Sequence, residues 1–92
     1  RPPEGDVIRI TVQSERLDGV IAAGWRLSRA EAQRLIAAGL IKHNHVEERR
    51  GDARVAEGDL ISVRGRGRLR VESVEGETRR GRIALKLFKY KS

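Results

Sequence analysis

At 92 residues the chain is long enough for one domain and too short for two. An apolar fraction of 38% and a charged fraction of 36% describe a small core under a charged surface; no apolar run approaches the ~18–20 residues of a membrane-spanning helix, and the absence of cysteine excludes disulfides, thiol catalysis and cysteine-ligated metals. The net charge of +7 is concentrated: residues 1–63 hold ten basic and ten acidic side chains, residues 64–92 ten basic and three acidic, which is the footprint of a domain that binds a polyanion.

Residues 1–6 (Arg1-Pro2-Pro3-Glu4-Gly5-Asp6) lack the apolar segment of a signal peptide and read as the remnant of a linker, leaving a single domain over residues 7–92. Val7 to Gln13 alternates, with Ile8, Ile10 and Val12 on one side, and predicts a half-buried strand. The period then lengthens. Leu17, Val20 and Ile21 form the apolar stripe of a short helix over Glu15–Ala23, with Ser14 as N-cap and Gly24 just past its end. Ser28-Arg29-Ala30-Glu31 has capping-box spacing and opens a second helix, with Ala32, Leu35 and Ile36 on its buried side and Gly39 as its stop. The link Gly24–Ser28 is so short that the helices must form a compact pair, with Trp25 and Leu27 at the corner.

Beyond Gly39 the pattern is extended: a strand over Leu40–His45, a polar loop over Val46–Glu57, a turn at Gly58-Asp59, and strands over Leu60–Val63 and Arg68–Val74. Glu75-Gly76-Glu77 predicts a turn, and Arg82–Tyr90 the last strand, with Ile83, Leu85 and Leu87 inward. One strand, two helices and about four strands argue for an α+β fold, a helix pair on a small, mostly antiparallel sheet.

Arg64-Gly65-Arg66-Gly67-Arg68 carries the densest charge. If extended, it sets three arginines on one side, and its glycines let a phosphate backbone approach the main chain; the competing reading is a charged, flexible hairpin tip. Arg29 and Gln33 are four apart and share a helix face beside an electropositive helix N-terminus, with Arg16 and Arg26 near in sequence; an ordinary solvated face is the alternative. His43 and His45 supply two ligands where a protein zinc site needs three or four, so neither a metal nor a cofactor is expected. No serine has an evident base beyond these histidines, and no carboxylate pair suggests acid–base chemistry, so no active site is expected. Phe88 and Tyr90 share a strand face with Lys86 and either stack on bases or cover the edge of the core.

Arg16-Leu17-Asp18, Leu27-Ser28-Arg29 through Ala32-Gln33 to Leu35-Ile36, Gly39, Lys42-His43-Asn44 and Gly58-Asp59-Leu60-Ile61 together resemble the S-four RNA-binding domain over residues 15–64. The following Ile61–Arg68 segment, the Glu-Gly-Glu stretch and the closing basic strand over residues 65–92 are similar to the C-terminal domain of the YlmH family, which includes the photosystem II S-four domain proteins. The resemblance implies the S-four (alpha-L) fold, a helix pair on a curved sheet. It implies RNA-contact roles for Arg16, Ser28, Arg29, Gln33, Lys42 and Asn44, with Arg64, Arg66 and Arg68 as a basic extension; Arg26 joins the candidate RNA-binding residues only through its nearness in sequence. It further implies a cytoplasmic domain that grips ribosomal RNA and tRNA on the large ribosomal subunit during ribosome-associated quality control, with no chemistry, membrane or small-molecule substrate of its own. An RNA-targeting appendage of a modifying enzyme such as a pseudouridine synthase is the second reading, and a module for an acidic protein partner the third. Two positions depart from the family pattern: His45 follows Asn44 where glycine is usual, and His43 stands where an aliphatic residue is usual.

Overall fold

The computed structural model describes residues 2–91. In chain order these form β1 (Gly5–Val12), α1 (Leu17–Trp25), α2 (Arg29–Ala37), β2 (Ile41–His43), β3 (Val46–Glu47), β4 (Leu60–Val63), β5 (Gly67–Glu77) and β6 (Ile83–Tyr90). All six strands join one antiparallel sheet in the order β1-β6-β5-β4-β2-β3. Two helices on an antiparallel sheet is the α+β arrangement expected from the pattern of periods.

Alternation along the strands sorts the sheet into two faces. Ile61 and Val63 of β4, Leu69 and Val71 of β5, and Leu85 and Leu87 of β6 are buried with Leu17, Val20, Ile21 and Trp25 of α1 and with Ala32 and Ile36 of α2. The residues between them, Arg68, Arg70, Phe88 and Tyr90, therefore lie on the face turned away from the helices. β1 starts two residues before the expected strand, because Gly5 and Asp6 pair with Tyr90 and Lys89 of β6.

α1 runs from Leu17 to Trp25, two residues later than expected at both ends, and Ser14 is not its cap. The reason is tertiary. Loop 51–55 folds over the helix start, where Leu17 N–H donates to Ala53 O (2.9 Å) and Asp18 N–H to Gly51 O (3.0 Å), so backbone carbonyls take the place of a capping side chain. Gly24 lies inside the helix rather than past its end. A Cβ there would come within 2.7 Å of the buried Leu69 Cδ2, so glycine is what lets the helix sit down on the sheet. The left-handed residue that ends α1 is Arg26, at φ 55°.

α2 follows its sequence signature: the Ser28 hydroxyl accepts from Glu31 N–H (3.0 Å), and the Glu31 carboxylate accepts from Ser28 N–H (3.0 Å). β2 and β3 form a hairpin where a single strand followed by a loop was expected. Its two-residue turn, Asn44-His45, has φ of 52° and 72°, the positive pair that a type I′ hairpin requires. Histidine thus occupies a left-handed position that glycine fills without strain. The expected Glu75–Glu77 turn is instead part of β5, which absorbs two irregularities in its pairing with β6, between Val71 and Ser73 and between Val74 and Gly76. The reversal falls at Thr78–Gly81, where Gly81 N–H donates to Thr78 O.

Candidate nucleic-acid interface

A buried carboxylate organises the helix pair. Asp18, in the first turn of α1, has a side chain only 1% exposed, yet it is fully engaged. Its Oδ1 accepts from Gly19 N–H (2.8 Å) and Arg16 Nε (3.2 Å); its Oδ2 accepts from Arg16 Nη2 (3.0 Å), Gln33 Nε2 (3.2 Å) and Arg29 Nε (3.3 Å). Burial pushes the Asp18 carboxyl up. Hydrogen bonds from Arg16, Gln33 and Gly19, together with the Arg29 charge, outweigh that and hold it below the usual carboxylate range. It is therefore an ionised acceptor for three outward-reaching side chains.

Arg16, Arg29 and Gln33 were expected from sequence, and the structure brings all three onto one atom group from three separate chain positions. The two arginine side chains remain 37% and 49% exposed, so each keeps guanidinium N–H groups toward solvent. With one carboxylate against two guanidiniums the cluster keeps a positive charge. This is what phosphate recognition asks of arginine: a planar fork held in place, with donors left over. Sequence reasoning missed two members. Asp18 belongs to no spacing that marks it as an acceptor, and Arg54 lies in a loop without a pattern. The Arg16–Arg54 β-bridge sets Arg54 beside Arg16, where it is exposed.

The other expected residues disperse. Ser28 spends its hydroxyl on the helix cap, and Glu31 places a carboxylate at the same helix end. Arg26 ends α1 and lines a depression with Ile8, Ile10 and Trp25, about 12 Å along the helix axis from Asp18. Asn44 is engaged internally: Nδ2 donates to Asp59 Oδ1 (3.1 Å) and Oδ1 accepts from Leu60 N–H (2.9 Å). His43 Nε2 lies 2.7 Å from Asp59 Oδ2, so its unusual place in the strand is met by an acceptor. For Asp59 burial again works upward, but hydrogen bonds from Ala56 N–H, His43 and Asn44 hold the carboxyl below its ordinary value, and the His43 ring N–H is the donor. Lys42 pairs with Ser62 and Glu47 on the face away from the helices.

The basic segment is a turn, not an extended ladder. Arg66 N–H donates to Val63 O (3.0 Å), and Gly65 and Gly67 have φ of 82° and 106°. The turn is tied to α1 by Trp25 Nε1, which donates to Arg66 O (3.1 Å). Its three arginines consequently diverge: Arg64 flanks Lys42 and Ser62, Arg66 lies beside Glu31 and Arg34 of α2, and Arg68 stands against Tyr90 on the outer face.

No protein-family model matches the chain. Over 70 residues, 76% of its length, the chain is 43% identical to the ribosome-associated protein quality control protein P2 of Bacillus subtilis (strain 168). The matched region spans 27% of that relative, about a quarter of its length.

Proposed function

We propose that this chain is a non-catalytic RNA-binding domain of the S-four type, acting on the ribosome in quality control. The observation that carries the reading is the Asp18 cluster, in which a buried ionised carboxylate presents Arg16, Arg29 and Gln33 as a fixed, outward-facing donor set. The name of the Bacillus subtilis relative supports a ribosomal setting and hence the cytoplasm. Large-subunit RNA, with or without tRNA, is the structured polyanion that fits. The domain reads phosphates and shape, because its cations outnumber groups arranged to read base edges.

Co-sedimentation with purified large and small ribosomal subunits across a salt series tests this. For about six phosphate contacts the log–log slope of affinity against salt is about −4 to −5. The expected result is salt-sensitive binding to the large subunit, lost in Arg16→Ala/Arg29→Ala. Binding no stronger than to an unrelated RNA, or unchanged in the double variant, would overturn the reading.

A further inference from the structure

The face of the sheet that carries no helix has its own composition. Paired positions place Lys42, Arg68, Arg70, Lys86, Phe88 and Tyr90 together there. Phe88 and Tyr90 meet edge to face, with ring centroids 5.0 Å apart and an interplanar angle of 83°. The Arg68 guanidinium carbon lies 4.6 Å from the Tyr90 ring centroid, and that of Arg70 lies 5.6 Å from it. Arg68, Arg70 and Lys86 take part in none of the ion pairs formed among the described residues, whereas Lys42 has Glu47 as its cross-strand neighbour, and Arg9, Arg49 and Arg50 are matched by Glu75, Glu47 and Asp52.

Phe88 has a structural task. It covers Gly5 of the edge strand so closely that a Cβ there would meet its ring at 2.7 Å. Tyr90, the cross-strand partner of Gly5, lines a depression with Ser62, Gly67, Arg68 and Lys91 and is only partly buried. Rings and guanidinium planes both offer flat surfaces for a base, and the surrounding charge selects a polyanion. A folded acidic protein would match the charge but would leave the flat surfaces unused.

We infer that this outer face, centred on Tyr90, Arg68 and Arg70, is a second RNA-contact surface that takes unpaired nucleotides by stacking. It rests on the RNA-binding reading but uses none of the residues of the Asp18 cluster. The two surfaces lie on opposite sides of the sheet, so one domain would hold a structured RNA on its helices and a single-stranded segment on its strands.

The test compares three fluorescent probes on the 92-residue chain: a decauridine, a blunt RNA hairpin, and heparin, which has charge but no bases. Tyr90→Ala is expected to weaken decauridine binding about tenfold, the scale of one lost stacked base, while Tyr90→Trp retains it. Hairpin and heparin affinities are expected to stay within twofold in both. Arg68→Gln/Arg70→Gln, at exposed positions, gives an independent reading if circular dichroism shows that Tyr90→Ala does not fold. Decauridine binding within twofold of wild type in the tyrosine and arginine variants would overturn the proposal. So would equal losses on decauridine and heparin with Tyr90→Ala, or no decauridine binding by the wild type. If Arg16→Ala/Arg29→Ala loses the hairpin while the Tyr90 and Arg68/Arg70 variants keep decauridine, the helix-side reading stands and this one falls.

Discussion

Asp18 is a buried anion whose purpose is to position cations. In Asp18→Asn the shape survives, but an amide N–H₂ must face the donors of Arg16, Arg29 or Gln33. Hydrogen bonds to charged groups are worth about 1.5–3 kcal/mol each when lost from a buried acceptor, and the arginines here are half in water, so the expected destabilisation is toward the low end, about 1.5 kcal/mol. Urea denaturation measures it. RNA affinity should fall severalfold at temperatures where the variant is still folded, because both guanidiniums are intact but no longer held. Arg29→Ala separates the effects: it should weaken RNA binding about fivefold with little change in the denaturation midpoint, since Arg29 is half exposed and Asp18 keeps its other partners. An unchanged affinity would remove the α2 surface from the interface.

Elements show where sequence patterns suffice and where they do not. The capping box of α2, the period-two strands β4 and β6, and the face shared by Arg29 and Gln33 are local features with local causes, and each was legible. The start of α1 was not, because its caps are carbonyls from loop 51–55, more than thirty residues away. Arg64–Arg68 left two readings open, an extended ladder and a charged hairpin tip, and the geometry is that of the tip: Gly65 and Gly67 serve the positive φ of a tight turn. The Asp18 cluster was half legible: Arg29 and Gln33 from helical spacing, Arg16 from nearness in sequence and the family resemblance, and the anion only from the packing of α1 on α2. Two substitutions probe these elements. Gly24→Ala should cost about 1–3 kcal/mol, the usual range for overpacking, since the added methyl meets Leu69 in the core. His45→Gly should raise the melting temperature slightly, because it relieves a left-handed residue worth about 1 kcal/mol of strain, part of which returns as chain entropy in the unfolded state. A lower melting temperature would show that the His45 side chain makes a stabilising contact.

For the whole molecule, the two least exposed of the lowered carboxylates, Asp18 and Asp59, contribute to the response to acid. Asp18 and Asp59 both bind protons more weakly when folded than their ordinary value of 3.8, so the unfolded chain takes up protons first as pH falls. Their contribution to stability is complete well above pH 3.8 and is lost as pH drops through the folded values. Thermal melts at pH 6 and pH 3 should show a marked loss at the lower pH, and Asp18→Asn should show a smaller difference between the two. RNA binding should fail over the same interval, since protonated Asp18 releases Arg16 and Arg29.

The pairing of β1 with β6 has a mechanical consequence. Gly5 lies opposite Tyr90, and Lys91 N–H donates to Glu4 O (3.0 Å), so residues 4 and 91 sit at the same end of an antiparallel pair. The rungs between these strands run perpendicular to the chain. Tension applied through residues 4 and 91 therefore loads the rungs one at a time, as in opening a zipper, rather than all at once in shear. The sheet should yield to such a pull at low force, while resisting a pull along β6 against β5 far better. An optical-tweezers comparison of the two pulling directions would measure the difference.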